Sequence, residues 1–448
     1  MSIEVLLVVA MFASFLVGLF AGFPVAFVLG GVGVAFALLG EVLPAMGVDV
    51  MAGANFIGFA TDRIFGIVSN YSLVPMSLFV FMGFMLDRSG IAERLLAAMA
   101  RVLARTPGGL GLSVVGIGVV LAASTGIIGA AVVLLATVAL PAFRKAGYDI
   151  PLSLGTVAAS GCLGILIPPS IMLIVMGDQL RLSVGDLFMG AVFPGLVLAA
   201  LYASYLIGLA IVRPAAAPSM KDAGPLDWDA VVEIVKALVP PLLLMALVLG
   251  SIFMGIASPT EASGLGALGA IAITFANGAL NWTTVRETCF ATAKTTAFLY
   301  AIMFGATCFS VVLRGYGGDA MVEEAITGIN LPPEGILLIV MLVVFVLGFV
   351  LDWMEIVLIV APLTVPVVVA LGFDPLWVAM LLAVCLQTSF LTPPVGMALF
   401  YVKSVAPPDV NTAQIYRGIV PFVILQLIGL ALVWNFPQLV KWLPSVAY

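Results

Sequence analysis

The sequence predicts an all-α polytopic membrane protein built from two halves of inverted topology. Three observations predict it. The 448 residues are 63% hydrophobic and only 9% charged, with a mean hydropathy of +1.27, whereas a soluble domain carries roughly a quarter charged residues. Apolar segments near 20 residues, roughly the length that crosses a bilayer, follow one another with little between them. The second half also repeats landmarks of the first at one offset. Pro141, Gly147, Asp149, Pro168 and Pro169 fall on Pro366, Gly372, Asp374, Pro393 and Pro394.

The segments 3–20, 22–40, 64–86, 152–177, 185–212, 237–256, 260–279, 295–313, 376–405 and 413–435 read as about ten full crossings. The first of these has Glu4 and no basic stretch before it, so it reads as a spanning helix and not as a cleaved leader. Segments 108–143 and 334–370 are too long for one pass and read as re-entrant hairpins. The polar stretch 213–236, "RPAAAPSMKDAGPLDWDAVVEIVK", divides a first repeat (1–212) from a second (237–448) and is expected to be a cytoplasmic linker.

Charge sets the orientation. Arg88, Arg94, Arg101 and Arg105 follow segment 64–86, while its counterpart 295–313 is followed by Asp319, Glu323 and Glu324. Arg144 and Lys145 likewise have no basic counterpart near Leu371. Lys and Arg mark the cytoplasmic side, so equivalent segments face opposite sides, as an inverted repeat requires. Basic residues flank 108–143 at both ends, so this hairpin enters and leaves from the cytoplasm, with its tip near residues 122–129. The second hairpin enters from outside, with its tip near residues 351–355. The arm 87–106 reads as an amphipathic helix lying along the interface.

The stretch "GILIPPSIMLIV" (164–175) places Pro168-Pro169 inside a segment made for lipid, and "LTPPV" (391–395) repeats it. Proline removes an N–H and clashes with the preceding turn. A broken helix in lipid strands backbone polar groups, and it survives only when buried in protein or lining a wet cavity. Half-helix ends at mid-membrane hold anions at their N-termini and cations on freed carbonyls. A kink with no role is the plain alternative for one such pair; two pairs in matching places point to a transport site. The candidate site therefore comprises Ser124, Thr125 and Gly126 at the first tip and Ser160, Gly161, Pro168, Pro169 and Ser170 around the first break. Around the second break it comprises Gln387, Thr388, Ser389, Thr392, Pro393, Pro394 and Gly396. Oxygen-only ligands suit a hard cation such as Na⁺, expected near Ser124, Gly126, Pro168, Thr392 and Pro393. Asp352 and Glu355 stand in an apolar stretch, where acids are costly and commonly functional; they either bind a cation or proton or are structural. Glu261 in "SPTEASG" reads as a helix cap.

Other chemistries are excluded or weak. Histidine is absent, which removes His-based metal or acid–base sites. Cys162, Cys289, Cys308 and Cys385 are far apart and read as small hydrophobes. "GLGALG" (264–269) lacks a preceding strand and reads as helix packing. "NWT" at Asn281 carries little weight. There is no phosphate-binding loop, and a net charge of −6 implies no nucleic-acid partner.

"GILIPPSIMLIVMG", "SPTEASG", "LDWMEIVLIVAPLTVPV" and "LTPPVGMALF" together resemble the large membrane subunit of tripartite ATP-independent periplasmic (TRAP) transporters, over essentially the whole chain. The resemblance implies an elevator-type permease of the inner membrane, not an enzyme. A Na⁺ gradient would drive import of an organic acid such as a C4-dicarboxylate, with no organic cofactor. The implied partners are a periplasmic solute-binding protein and a small four-helix membrane subunit, the latter expected as a separate chain. Two competing readings are a stand-alone Na⁺-coupled anion symporter of the same architecture and a membrane enzyme acting on lipid-linked substrates.

Overall fold

The computed structural model describes residues 3–46, 52–53, 55–103, 106–125, 128–219 and 228–447. The described residues are all-helical. The first series is α1 (Ile3–Phe20), α2 (Val25–Val42), α3 (Asn55–Val68), α4 (Val74–Arg88), α5 (Ile91–Leu103), α6 (Gly109–Thr125), α7 (Ile128–Lys145), α8 (Ile150–Cys162), α9 (Ile171–Leu180) and α10 (Val184–Val212). The second is α11 (Trp228–Phe253), α12 (Pro259–Ala276), α13 (Trp282–Gly315), α14 (Gly318–Thr327), α15 (Pro333–Leu347), the single turn α16 (Trp353–Glu355), α17 (Ala361–Ala370), α18 (Pro375–Leu391), α19 (Met397–Val405) and α20 (Thr412–Asn435). A terminal α21 (Gln438–Ala447) follows.

The two series share landmarks in the same order. Ile128 and Trp353 open α7 and α16, and Ile150 and Pro375 open α8 and α18, each pair 225 positions apart. The repeated residues explain why. Gly147 and Gly372 take positive φ, 74° and 100°, just past α7 and α17, the left-handed stop that glycine supplies without penalty. Asp149 and Asp374 then cap the next helices, accepting from the backbone N–H of Leu152 and of Trp377, both at 3.0 Å. Each side chain satisfies an N–H that the first helical turn leaves open. The repeat is thus a repeated helix stop and start.

Counted by length and apolarity, eight helices among the described residues can cross a bilayer, or nine if α3 and α4 form one span bent by 58°. This corrects the expected ten. The segments 152–177 and 376–405 are each divided into halves too short to count, and Trp353–Ala370, read as a hairpin arm, is itself of spanning length. Segment 64–86 is not a straight crossing but part of the bent pair. Helix α11 starts at Trp228, inside the stretch 213–236 read as a linker. Helix α5 stands where the amphipathic arm was expected; α14 and α21 were not anticipated.

Cross-packing between the series holds the bundle. Helix α2 lies along α13, and α12 lies along α4. Tyr316 Oη donates to the Phe36 carbonyl (2.6 Å), and Thr274 Oγ1 donates to the Met85 carbonyl (3.1 Å). Small residues permit the approach: a Cβ on Gly305 would stand 2.3 Å from the Ala26 carbonyl oxygen, and one on Gly33 2.8 Å from the Cys308 backbone. Backbones this close gain dispersion where lipid offers no hydrophobic drive. Gly266 and Gly269 of "GLGALG" likewise face Met82 and Leu244. Ser258 and Glu261 form a reciprocal capping box at the start of α12, and the Asn281 side chain caps α13 through the Thr284 N–H.

Helices α10 and α20 run in opposite directions where they meet. Leu198 of α10 packs beside Gly429 of α20, and Tyr202 and Tyr205 pack on Phe422. Moving up one helix therefore means moving down the other. Arg88, in the last turn of α4, pairs with Glu287 near the start of α13. Gly305→Val is expected to lower the thermal midpoint of the solubilised protein, by overpacking worth about 1–3 kcal/mol. Gly31→Val, with nothing within 4 Å, should leave it unchanged.

Candidate functional site

The first break is sealed inside protein. After α8 the chain makes a 3₁₀ turn (Leu163–Ile165), loses helical form over residues 166–170, and resumes as α9. Every residue from 161 to 170 is buried. Ser170, in extended conformation at the N-cap of α9, turns its hydroxyl away from the helix and donates to the Ile165 carbonyl at 2.5 Å. The Leu166 and Ile167 N–H groups both reach the Leu163 carbonyl. Among the described residues no hydrogen bond is made to the carbonyls of Ile167, Pro168 and Pro169. Three acceptors thus stand together in a buried loop.

Helices α6 and α7 pack over this break. A Cβ on Gly118 would press on Ser160 at 2.7 Å, and one on Gly161 would meet Val132 of α7 at 2.4 Å. Ser160 Oγ is fully buried and without a hydrogen-bond partner. Ser124 and Thr125 end α6. Gly126 lies outside the described residues.

The second break is more open. The Thr392 hydroxyl donates to Thr388 O (2.7 Å), Thr388 to Val384 O (2.8 Å) and Ser389 to Leu386 O (2.8 Å). These are the local bonds that hydroxyls in helices commonly make, and they leave oxygen lone pairs for other ligands. Pro394 is exposed, Pro393 and Thr392 are half-buried and Gly396, which precedes α19, is buried. Tyr416 Oη donates to the Pro394 carbonyl at 2.9 Å. Both Pro-Pro peptide bonds are cis. Helix α15 covers α18 as α6 covers α8: Cys385 Sγ meets the Met341 carbonyl at 3.3 Å.

The two breaks belong to one region. The 3₁₀ turn and α8 touch α18, α19 packs on α7, and α9 packs on α16, on the π turn Ile356–Val360 that follows it, and on α17. The arm after each hairpin therefore lies against the half-helix that follows the other half's break. Asp352 caps α16 through the Trp353 N–H (2.8 Å). Glu355, one turn on, is 2% exposed, and its Oε2 has no hydrogen-bond partner.

The Gln387 amide is fully buried in a polar cluster with Tyr202 of α10 and Gln426 of α20. Tyr202, Gln426 and Tyr416 were missed at the sequence level; of the three only Gln426 stands alone in an apolar run, while Tyr202 and Tyr416 have polar neighbours in the chain that give them no distinguishing mark. Cys162 and Cys385 are buried as expected, whereas Cys289 is exposed. No group of three metal-ligating side chains occurs among the described residues.

A family model for the DctM component of tripartite ATP-independent periplasmic transporters matches residues 12–439. The chain belongs to this family. It is a membrane transporter and not an enzyme, and it resides as a multi-pass protein in the bacterial inner membrane. Relatives include the isethionate TRAP permease DctMQ of Oleidesulfovibrio alaskensis, 29% identical over 91% of this chain. The chain spans 63% of that relative's length. The C4-dicarboxylate large permease DctM of Pseudomonas aeruginosa is 29% identical, over 86% of this chain and 88% of its own. The sialic acid large permease SiaM of Vibrio cholerae is 28% identical over 96% of both chains. In fold the chain is similar to the YdaH transporter of Alcanivorax borkumensis, with a TM-score of 0.66 and 15% identity, over 92% of this chain and 98% of that one.

Ser170→Ala removes the buried bond to Ile165. It is expected to reduce stability by about 1 kcal/mol, read as a lower thermal midpoint. Ser445→Ala, which removes an exposed local bond in α21, should leave the midpoint in place.

Proposed function

We propose that the chain is the permease of a Na⁺-coupled importer of an organic anion. A periplasmic solute-binding protein would deliver the anion, and a small four-helix membrane subunit would buttress the permease. The observation that carries this reading is the sealed loop at residues 166–170. Buried carbonyls without donors are rare in folded proteins, and a hard cation coordinated by oxygens satisfies them. Beside them begins α9, whose N-terminal end favours negative charge. One break thus offers ligands for a cation and a pole for an anion, and the second offers hydroxyls and the start of α19. We assign Ser124, Thr125 and Gly126 to the first site, and Asp352 and Glu355 to the second.

The isethionate, C4-dicarboxylate and sialic acid named for the relatives all carry an acidic group, which supports an anionic cargo. The opposed directions of α10 and α20 support an inverted repeat, since an in-plane two-fold axis reverses every helix it relates. The packing of α2 on α13 and of α12 on α4 supports a scaffold against which the hairpins and broken helices travel as one body. That is the elevator motion we assign to the chain.

The test is reconstitution of the chain in liposomes with its small subunit and binding protein. Uptake of succinate, sialic acid or isethionate is expected to require an inward Na⁺ gradient and the binding protein. Replacing both Pro168 and Pro169 by Ala should abolish Na⁺-dependent uptake while leaving the protein in the membrane. Undiminished uptake by that variant would overturn the site assignment, and gradient-driven uptake by the chain alone would favour a stand-alone symporter.

A further inference from the structure

A cavity of about 320 Å³ opens between the two helix series, within the size range of ligand sites. Two guanidinium groups line it, Arg63 of α3 and Arg314 near the end of α13. Arg314 Nε lies 3.1 Å from Asp319 Oδ2, and Asp319 is half exposed. Arg63 makes no ion pair among the described residues. Two cations therefore line the cavity, and one of them, Arg314, is paired with a carboxylate. An acid outside the lining, Asp178, has both its oxygens occupied by the amides of the lining residues Asn70 and Gln179, at 2.5 and 2.9 Å. In the neighbouring cavity Arg181 stands beside it. The lining itself carries two cationic side chains and, among the described residues, no acidic one, in a chain whose net charge is −6.

The cavity also touches both candidate moving parts. Gln179 belongs to α9, behind the first break, while Leu358 and Pro362 belong to the arm that follows Asp352 and Glu355.

We propose that this cavity is a receiving site for the acidic head, carboxylate or sulfonate, of the transported organic anion, and that Arg63 and Arg314 are its charge partners. The proposal deepens the function given above and rests on its anionic cargo. Ser310, on the wall one turn from Arg314, reports on the site.

The experiment uses the full chain with its small subunit in phosphatidylcholine vesicles. The native cysteines are replaced by Ala and Ser310→Cys is introduced. The probes are the anionic 2-sulfonatoethyl and the cationic 2-trimethylammonioethyl methanethiosulfonates. The anionic-to-cationic rate ratio is expected to fall about tenfold in Arg63→Gln and in Arg314→Gln, the scale on which local charge changes encounter rates. Lys at either position should keep the ratio, and Asp319→Asn should raise it. A ratio unmoved by the Gln variants, or by Asp319→Asn should they fail to reach the membrane, overturns the proposal. Suppression of the sulfonate reaction by phosphatidylglycerol in the vesicles would make this a lipid-headgroup site and overturn it too. The readout needs neither a Na⁺ gradient nor uptake, so failure of Na⁺ coupling would leave it standing and remains distinguishable.

Discussion

Every backbone N–H and C=O that leaves a helix inside a bilayer must find a partner there, because lipid supplies none. Most of this molecule follows from that constraint. A chain that interrupts two helices must wrap each interruption in protein. Helices α6 and α7 wrap the first, and α15 with the stretch Trp353–Ala370 wraps the second. The wrapping is tight where glycine lets backbone meet side chain, as at Gly118 over Ser160 and Gly161 under Val132. The carbonyls that remain without donors at Ile167, Pro168 and Pro169 are where the constraint is left open, and a ligand can close it.

The same constraint shapes the rest of the bundle. Without a hydrophobic drive between helices in lipid, stability comes from close packing. The long pairs α2 with α13 and α12 with α4 provide it, each joining one series to the other. Each half supplies what the other needs to close, so neither series has a complete core of its own. The broken helices then sit against partners whose own positions are fixed by long, closely packed contacts.

Much of this was legible in the sequence, and the reason is physical. Gly147, Asp149, Gly372 and Asp374 are local instructions: a left-handed stop and a side-chain cap act within a few residues, so an offset of 225 between them reports a repeated structure. The Pro-Pro breaks were legible for the same reason. What the sequence hid was determined at long range. Gln387 was grouped with the break by proximity in the chain, but the face of α18 turns it toward Tyr202 and Gln426, which lie on other helices. The bend between α3 and α4 has no proline pair to announce it, since its Asn70 cap resembles any loop residue. The cavity of Arg63 and Arg314 joins residues some 250 positions apart, and only the closed bundle brings them together.

The two breaks are not in the same condition: the first is wholly covered, while Pro394 of the second reaches the surface. The same Pro-Pro break thus sits in two different surroundings within one chain. If the halves trade shapes, the covered loop becomes ajar and the open one closes, and the molecule becomes a near mirror of itself in function.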